Sequence, residues 1–412
     1  MKIERPRGTR DFLPEEMERR REIERKMRKI AESFGYREVM TPTFEHLELF
    51  TRKSGEGIVE EMYVFKDKSG RDLALRPELT APVMRMFVNE CSVMPRPLRF
   101  YYFANCFRYE RPQKGRYREF WQFGVELIGS KSYLADAEVI ILADKILKEV
   151  GVKFSLEIGH VGIMRHLLKP VGEERASKIM RLIDKEDREG LERYLEEIRV
   201  EDDLRDKIFS LVELKGDESV IDEAKEIVDY DFSYLEKLSS LLRDVDVDFT
   251  LNLGIARGLD YYTGVVFECY AEGLGAQKQV CGGGSYELSS LFGGPVTPST
   301  GFAIGFDRVC EVCRVGEKKR DVVAVISFKG LESHAFRIAS KLRDAGITAV
   351  VDVMERSLKK QMSFANEIGA KYAVIIAPEE VKEGNVAIKN LETQEQVVVA
   401  EGDMLKLLKF GE

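Results

Sequence analysis

Between residues 99 and 128, two ten-residue runs rich in aromatic and strand-forming residues, RFYYFANCFR and EFWQFGVELI, flank the polar segment YERPQKGRYR. A connection that short joins the runs as an antiparallel hairpin, because parallel pairing needs a longer crossover. Strand side chains alternate between faces, so Gln122, Gly124 and Glu126 share one side and Trp121, Phe123, Val125 and Leu127 the other. The second set is core. The first joins an amide, a missing side chain and a carboxylate, which suits the floor of a site for a small polar ligand. On the partner strand Arg108 shares a face with Cys106 and Ala104, whose small side chains leave it room; an Arg to Glu pair buried in the sheet is the plainer alternative. The loop from Arg111 to Arg118 carries Arg111, Lys114, Arg116 and Arg118 with no acid among them. Cations beside a cavity suit the phosphates of a nucleotide or an RNA end, since guanidinium forks match phosphate oxygens and binding releases counterions. A solvated hairpin tip is the competing reading.

At 412 residues the chain exceeds one ordinary core and divides into domains. Residues 1–168 carry the hairpin, a charged helix from Glu15 to Phe34 closed by Gly35, a strand EVMTPT and a smaller hairpin MYVFKDKSGRDLALR. Residues 169–245 turn to dense charge at helical spacing, as in KIMRLIDKEDREGLERYLEEI, and read as a helical insertion. Strand character returns over 246–316, so the first domain resumes after the insertion. GEKKR at 316–320 is the linker candidate, and 321–412 alternates strand and helix as a small α/β domain with a largely parallel sheet. No apolar run approaches the length of a membrane span, and MKIERPRGTRDF lacks the apolar stretch of a secretory signal, so a cytoplasmic location is expected. A net charge of -8 argues against a protein that coats nucleic acid everywhere, while leaving room for local basic surfaces. Among the six cysteines only Cys310 and Cys313 approach metal or redox spacing, and a single CxxC reads as helix packing.

Three further pieces bring polar groups out of apolar surroundings. LRPELT, read as a strand, places Arg76, Glu78 and Thr80 on one side, with Glu78 able to accept from an ammonium. NLGIARGLDYYTGVVFE sets Arg257 beside Gly258 and just before Tyr261 and Tyr262. CGGGS and GFAIGFDRV have little side-chain bulk, which would let a flat ring such as adenine pack against backbone while Arg308 reaches a triphosphate. Neither GxxxxGK[ST] nor a strand-bound GxGxxG occurs, so neither a P-loop nor a dinucleotide fold is supported.

Taken in order, LRPELT, FRYERPQKGRYREFWQFGVE, ARGLDYYTGVVFE, the GGGSY segment and GFAIGFDRV resemble the histidyl-tRNA synthetases, class II aminoacyl-tRNA synthetases, over essentially the whole chain. The resemblance implies an α+β fold: a class II antiparallel-sheet catalytic core with a helical insertion, plus a C-terminal α/β anticodon-binding domain. It implies a ligase that activates L-histidine with ATP to histidyl-adenylate and transfers histidine to the 3' end of tRNA(His). Mg²⁺ would accompany the phosphates with no protein metal site of its own, and the protein would be a homodimer with Gly8, Thr9 and the helix before Pro42 in the dimer-forming region.

Carried over residue by residue, the resemblance implies that Arg108, Arg257 and Arg308 are catalytic, with Arg108, Arg116 and Arg308 on the nucleotide. Glu78, Thr80 and Gln122 would hold the α-ammonium, Glu126 and Tyr262 the imidazole, and Arg257 the carboxylate and α-phosphate, with Leu79 and Tyr261 also in the substrate site. Arg111, Gln113, Lys114 and Arg118 would meet the acceptor end of tRNA. The chain departs from common family patterns at Leu79, at Ser285 and at Asp307, which would bear on ribose and adenine contacts. A regulatory subunit of ATP phosphoribosyltransferase, a synthetase-like paralogue, is the alternative reading. The RGLDYYT segment, the intact basic loop and the C-terminal domain weigh against it.

Overall fold

The computed structural model describes residues 3–54, 56–110, 116–255, 261–275, 278–316 and 321–408. Two compact units emerge, Met1–Glu317 and Lys318–Glu412. The first begins with α1 (Pro14–Ser33), β1 (Arg37–Glu38), β2 (Phe44–His46), α2 (Leu47–Ser54), β3 (Val64–Lys66), β4 (Asp72–Leu75) and α3 (Thr80–Met86). The hairpin β5 (Leu98–Phe107) and β6 (Glu119–Ile128) follows, then α4 (Tyr133–Glu149), β7 (Phe154–His160) and α5 (Val161–Leu167). The inserted helices are α6 (Glu173–Asp184), α7 (Arg188–Glu197), α8 (Asp202–Glu213), α9 (Ser219–Ile227) and α10 (Ser233–Asp244), with the short strand β8 (Lys215–Gly216) among them. The unit closes with β9 (Thr250–Asn252), β10 (Tyr262–Ala271), β11 (Gln279–Tyr286), β12 (Ser299–Gly305) and α11 (Phe306–Val312).

Among the described residues, nine strands form one sheet in the order β1-β5-β6-β12-β11-β10-β7-β9-β8, so the two halves of the core, split in sequence by the helices, meet where β6 pairs with β12 and where β7 lies between β10 and β9. Pairing is antiparallel apart from β1 with β5 and β7 with β9. One face is covered by α1 and α4. Ile23, Met27 and Ala31 of α1 are buried at the expected spacing, and Gly35 takes φ +82, the left-handed conformation that ends the helix. Ser132 caps α4 by accepting from the Leu134 amide at 3.2 Å, and Val139, Ile140, Ala143 and Leu147 are buried. The inserted helices contribute Ile179, Leu195, Leu211 and Leu238 to this same core, and α10 packs on α4.

Two local expectations change. LRPELT is not a strand: β4 ends at Leu75, and the chain turns so that Thr80 opens α3. The Glu78 carboxylate accepts from the Thr80 amide at 2.8 Å and the Ala81 amide at 3.1 Å, satisfying donors that a helix start leaves open. Arg76 points away into structure, donating to the carbonyls of Thr41, Pro42 and Asn105. Within EVMTPT only β1 pairs in the sheet, and Val39 adds one bond to Tyr101.

The second unit follows its sequence pattern closely. It contains β13 (Val322–Ser327), α12 (Glu332–Asp344), β14 (Thr348–Val351), α13 (Leu358–Glu367), β15 (Tyr372–Ile376), α14 (Pro378–Lys382), β16 (Asn385–Asn390), β17 (Gln396–Ala400) and α15 (Met404–Leu407). β14, β13 and β15 are parallel neighbours, and β16 and β17 extend the sheet as an antiparallel hairpin.

Candidate active site

The polar face of β6 is the centre of a cavity of about 640 Å³. Its floor includes the glycines Gly282, Gly301 and Gly305. Gly124 pairs with Tyr102 on one side and Ala303 on the other, and Ala303 pairs with Gly282. A Cβ on Gly124 would lie 2.4 Å from the Tyr102 ring, and one on Gly301 would lie 2.1 Å from Glu126 Oε2, so both glycines are required by side chains that cross them.

At one end Glu126, 1% exposed, accepts from the hydroxyl of Tyr286 at 2.5 Å and that of Tyr102 at 3.1 Å. The Thr80 hydroxyl is a further hydrogen-bond partner. Burial pushes this carboxyl up to about 8, against the pull of those three hydroxyls. Tyr261 stacks on Tyr262 at 4.6 Å and meets Tyr286 edge-on at 5.9 Å, so three tyrosines, from the start of β10, the residue before it and β11, line the same cavity as this carboxyl. Nearby, the Cys106 thiol donates to Gln122 Oε1 at 3.4 Å, and burial holds that thiol at about 12, so it stays a donor.

At the other end stand Arg108, Arg116 and Arg308, all on the cavity wall. Arg108 donates to the Pro77 carbonyl at 3.0 Å and lies 5.1 Å from the centre of the Phe120 ring; Arg308 donates to the Gln279 carbonyl at 2.8 Å. Burial, then the positive charges of Arg108 and Arg116, lower the proton affinity of Arg308. Three guanidinium groups near enough to disturb one another make a site for a polyanion. Glu268, bonded to Gln279 Nε2 at 2.8 Å, lines the same cavity from β10. Among the described residues no three His, Cys, Asp or Glu side chains gather as a ligand set for a metal ion.

A family model described as "Histidyl-tRNA synthetase" matches residues 8–309, and one described as "Anticodon binding domain" matches residues 321–410. The chain belongs to the histidyl-tRNA synthetase family. The histidine–tRNA ligase of Archaeoglobus fulgidus is 86% identical to it over 99% of this chain and 100% of its own length. The structure of the apo histidyl-tRNA synthetase of S. aureus is similar with a TM-score of 0.73 at 27% identity, covering 99% of this chain and 100% of that one. One from Bacillus halodurans, described as an ATP phosphoribosyltransferase regulatory subunit/histidyl-tRNA synthetase, has a TM-score of 0.80 at 28% identity over 92% of this chain and 99% of that one.

Within this histidyl-tRNA synthetase fold, Glu78, Thr80, Arg108, Arg116, Gln122, Glu126, Tyr261, Tyr262 and Arg308 line one cavity. Arg257, Arg111, Gln113 and Lys114 lie outside the described residues. Leu79 does not join the wall: its side chain is 1% exposed in the core. Arg118 also stays off the wall, donating to the Glu110 carbonyl at 3.1 Å beneath the Tyr109 ring. Ser285 faces the opposite side of the sheet, where it donates to Asp136 at 2.8 Å, so its departure from the family pattern does not bear on the cavity. Asp307 is an anchor, joined to Arg10, Arg20 and the Trp121 amide. The sequence reading passed over Tyr102 and Tyr286. Tyr102 meets Gly124 only through the pairing of β5 with β6, which is not legible in either segment alone. Lys185 and the end of α6 also reach the cavity rim, a contribution from the inserted helices that no local pattern announces.

Proposed function

We propose that the chain acts as a histidine–tRNA ligase, activating L-histidine with ATP and transferring it to the 3' end of tRNA(His). One observation carries this reading. A buried carboxyl ringed by tyrosines and a trio of arginines occupy opposite ends of one cavity over a glycine floor, which fits an imidazole at one end and phosphates at the other.

In this reading Glu126 and Tyr262 hold the imidazole, with Tyr261 packed against Tyr262. Glu78, Thr80 and Gln122 surround the α-ammonium. Arg108 bridges the histidine carboxylate and the α-phosphate, with Arg257 on the same two groups, and Arg116 and Arg308 hold the remaining phosphates of ATP, which arrives as its Mg²⁺ complex. The carboxylate then attacks the α-phosphorus in line, pyrophosphate leaves, and a terminal ribose hydroxyl of tRNA takes the acyl group from the adenylate. Both steps call for alignment and charge stabilisation more than for a strong base, and fixed guanidinium groups supply both. Arg111, Gln113, Lys114 and Arg118 meet the acceptor end, and the C-terminal unit takes the anticodon. The protein works in the cytoplasm as a homodimer. Exposed Met40, Phe44 and Phe65, the last two in edge contact on the sheet of β2, β4 and β3, support the dimer.

Histidine binding should depend on pH with two limbs. Below about 6.5 free imidazole is protonated while Glu126 is also protonated, so the pair must shed a proton to bind. Above about 8 the empty site is ionised and the imidazole neutral, so the pair must take one up. The KM for histidine is therefore expected to pass through a minimum between these values, and Glu126→Gln is expected to remove the alkaline limb. Steady-state assays from pH 5.5 to 9.5 check this; an alkaline limb unchanged in the variant would refute the role given to Glu126.

The test of the function itself is ATP–pyrophosphate exchange with each of the twenty amino acids. Exchange with histidine alone is the expected result. A regulatory paralogue would show none, and a different class II enzyme would answer to another amino acid.

A further inference from the structure

The N-terminal segment Gly8 to Phe12 lies against the root of the cationic loop. The Arg118 amide donates to the Gly8 carbonyl at 2.8 Å, and Gly8, at φ +87, has no room for a Cβ because Arg118 Cγ would be 2.7 Å away. Arg10 sits over the Tyr117 ring, its Cζ 3.5 Å from the ring centre, while its Nη2 reaches Asp307 Oδ1 at 2.5 Å. Asp307 is 3% exposed and sits one residue before Arg308. Its other oxygen accepts from the Trp121 amide at 2.6 Å, between Phe120 and Gln122 on the cavity wall. Arg20 also reaches Asp307 Oδ1, at 2.8 Å. Three elements therefore meet at this carboxylate of α11, the N-terminal segment through Arg10, α1 through Arg20 and β6 through the Trp121 amide, and Arg10 ties in the loop root at Tyr117.

We propose that Arg10 is a positioning residue for the nucleotide half of the reaction, a latch that holds Arg116, Phe120 and Arg308 in register through Tyr117 and Asp307. This rests on the reading of the arginine end as the ATP site. Arg10 bridges two groups that Arg20 alone does not, because Arg20 stacks on Phe12 and Phe306 and leaves the loop root untouched. Removing Arg10 should free the loop root while Arg20 keeps Asp307 paired and the unit folded.

The test combines histidine-dependent exchange kinetics with acrylamide quenching of Trp121, the chain's one tryptophan, whose ring stacks on Phe103 beside this junction. Arg10→Ala and Tyr117→Leu are each expected to raise the KM for ATP about tenfold and leave that for histidine within about twofold. Tyr117→Phe keeps the ring and should match the parent. Quenching of Trp121 should rise in the first two variants and not in the third. An ATP KM within twofold of the parent in both Arg10→Ala and Tyr117→Leu would overturn the proposal, as would equal rises for ATP and histidine, which mark a general structural role. Should the parent show no histidine-dependent exchange, the reading of the ATP site falls, and Trp121 quenching alone then decides whether Arg10 holds this junction: no rise in Arg10→Ala overturns it.

Discussion

Glu126→Ala is expected to abolish histidine-dependent pyrophosphate exchange, lowering kcat/KM for histidine by about 10⁴. The size follows from what would be left behind. The hydroxyls of Tyr102, Tyr286 and Thr80 all bond this buried carboxyl, so its removal strips three hydroxyls of their partner as well as the imidazole of its own. A polar site of this kind rejects ligands that cannot complete its hydrogen bonds far more strongly than an apolar pocket rejects a misfit of similar size. Exchange assays with saturating ATP measure the effect, and thermal unfolding of the same variant separates it from a loss of fold.

Arg308→Ala is expected to lower the rate of adenylate formation by about 10² to 10³ while leaving histidine affinity nearly unchanged. The Gln279 carbonyl fixes the guanidinium before any nucleotide arrives, so its field costs no rearrangement when charge builds on the phosphates. Its neighbours Arg108 and Arg116 repel it, and that repulsion is relieved when a polyanion enters. Single-turnover measurement of adenylate formation, with histidine binding followed separately, distinguishes this from a loss of general binding. A rise in the histidine KM equal to the loss in rate would place Arg308 at the other end of the cavity.

Much of this arrangement could be read from local pattern. The period-two alternation of β6 sorted Gln122 and Glu126 onto the cavity and Phe123, Val125 and Leu127 away from it, whereas Trp121, assigned with the latter, also lines the cavity. The alternation of strands and helices after residue 321 likewise reads directly, because the strands and helices follow one another in short, regular succession and β13, the first strand, takes the centre of the three parallel strands. LRPELT misled because three alternating polar residues fit a strand as well as a turn into a helix, and Glu78 folds back onto α3 to cap it. Asp307 was read as a departure from a family pattern with consequences for the nucleotide. Asp307 does line the cavity, and its partners include Arg10, 297 residues away, a distance over which local pattern carries no information. The same limit hid Tyr286, whose bond to Glu126 spans 160 residues.

A crystal structure with L-histidine and a non-hydrolysable ATP analogue addresses the central claim most directly. The account predicts an imidazole nitrogen within hydrogen-bond distance of Glu126, the amino-acid carboxylate beside Arg108, and the analogue's phosphates against Arg116 and Arg308 in the same cavity. Histidine bound elsewhere, or phosphates seated away from those arginines, would contradict it.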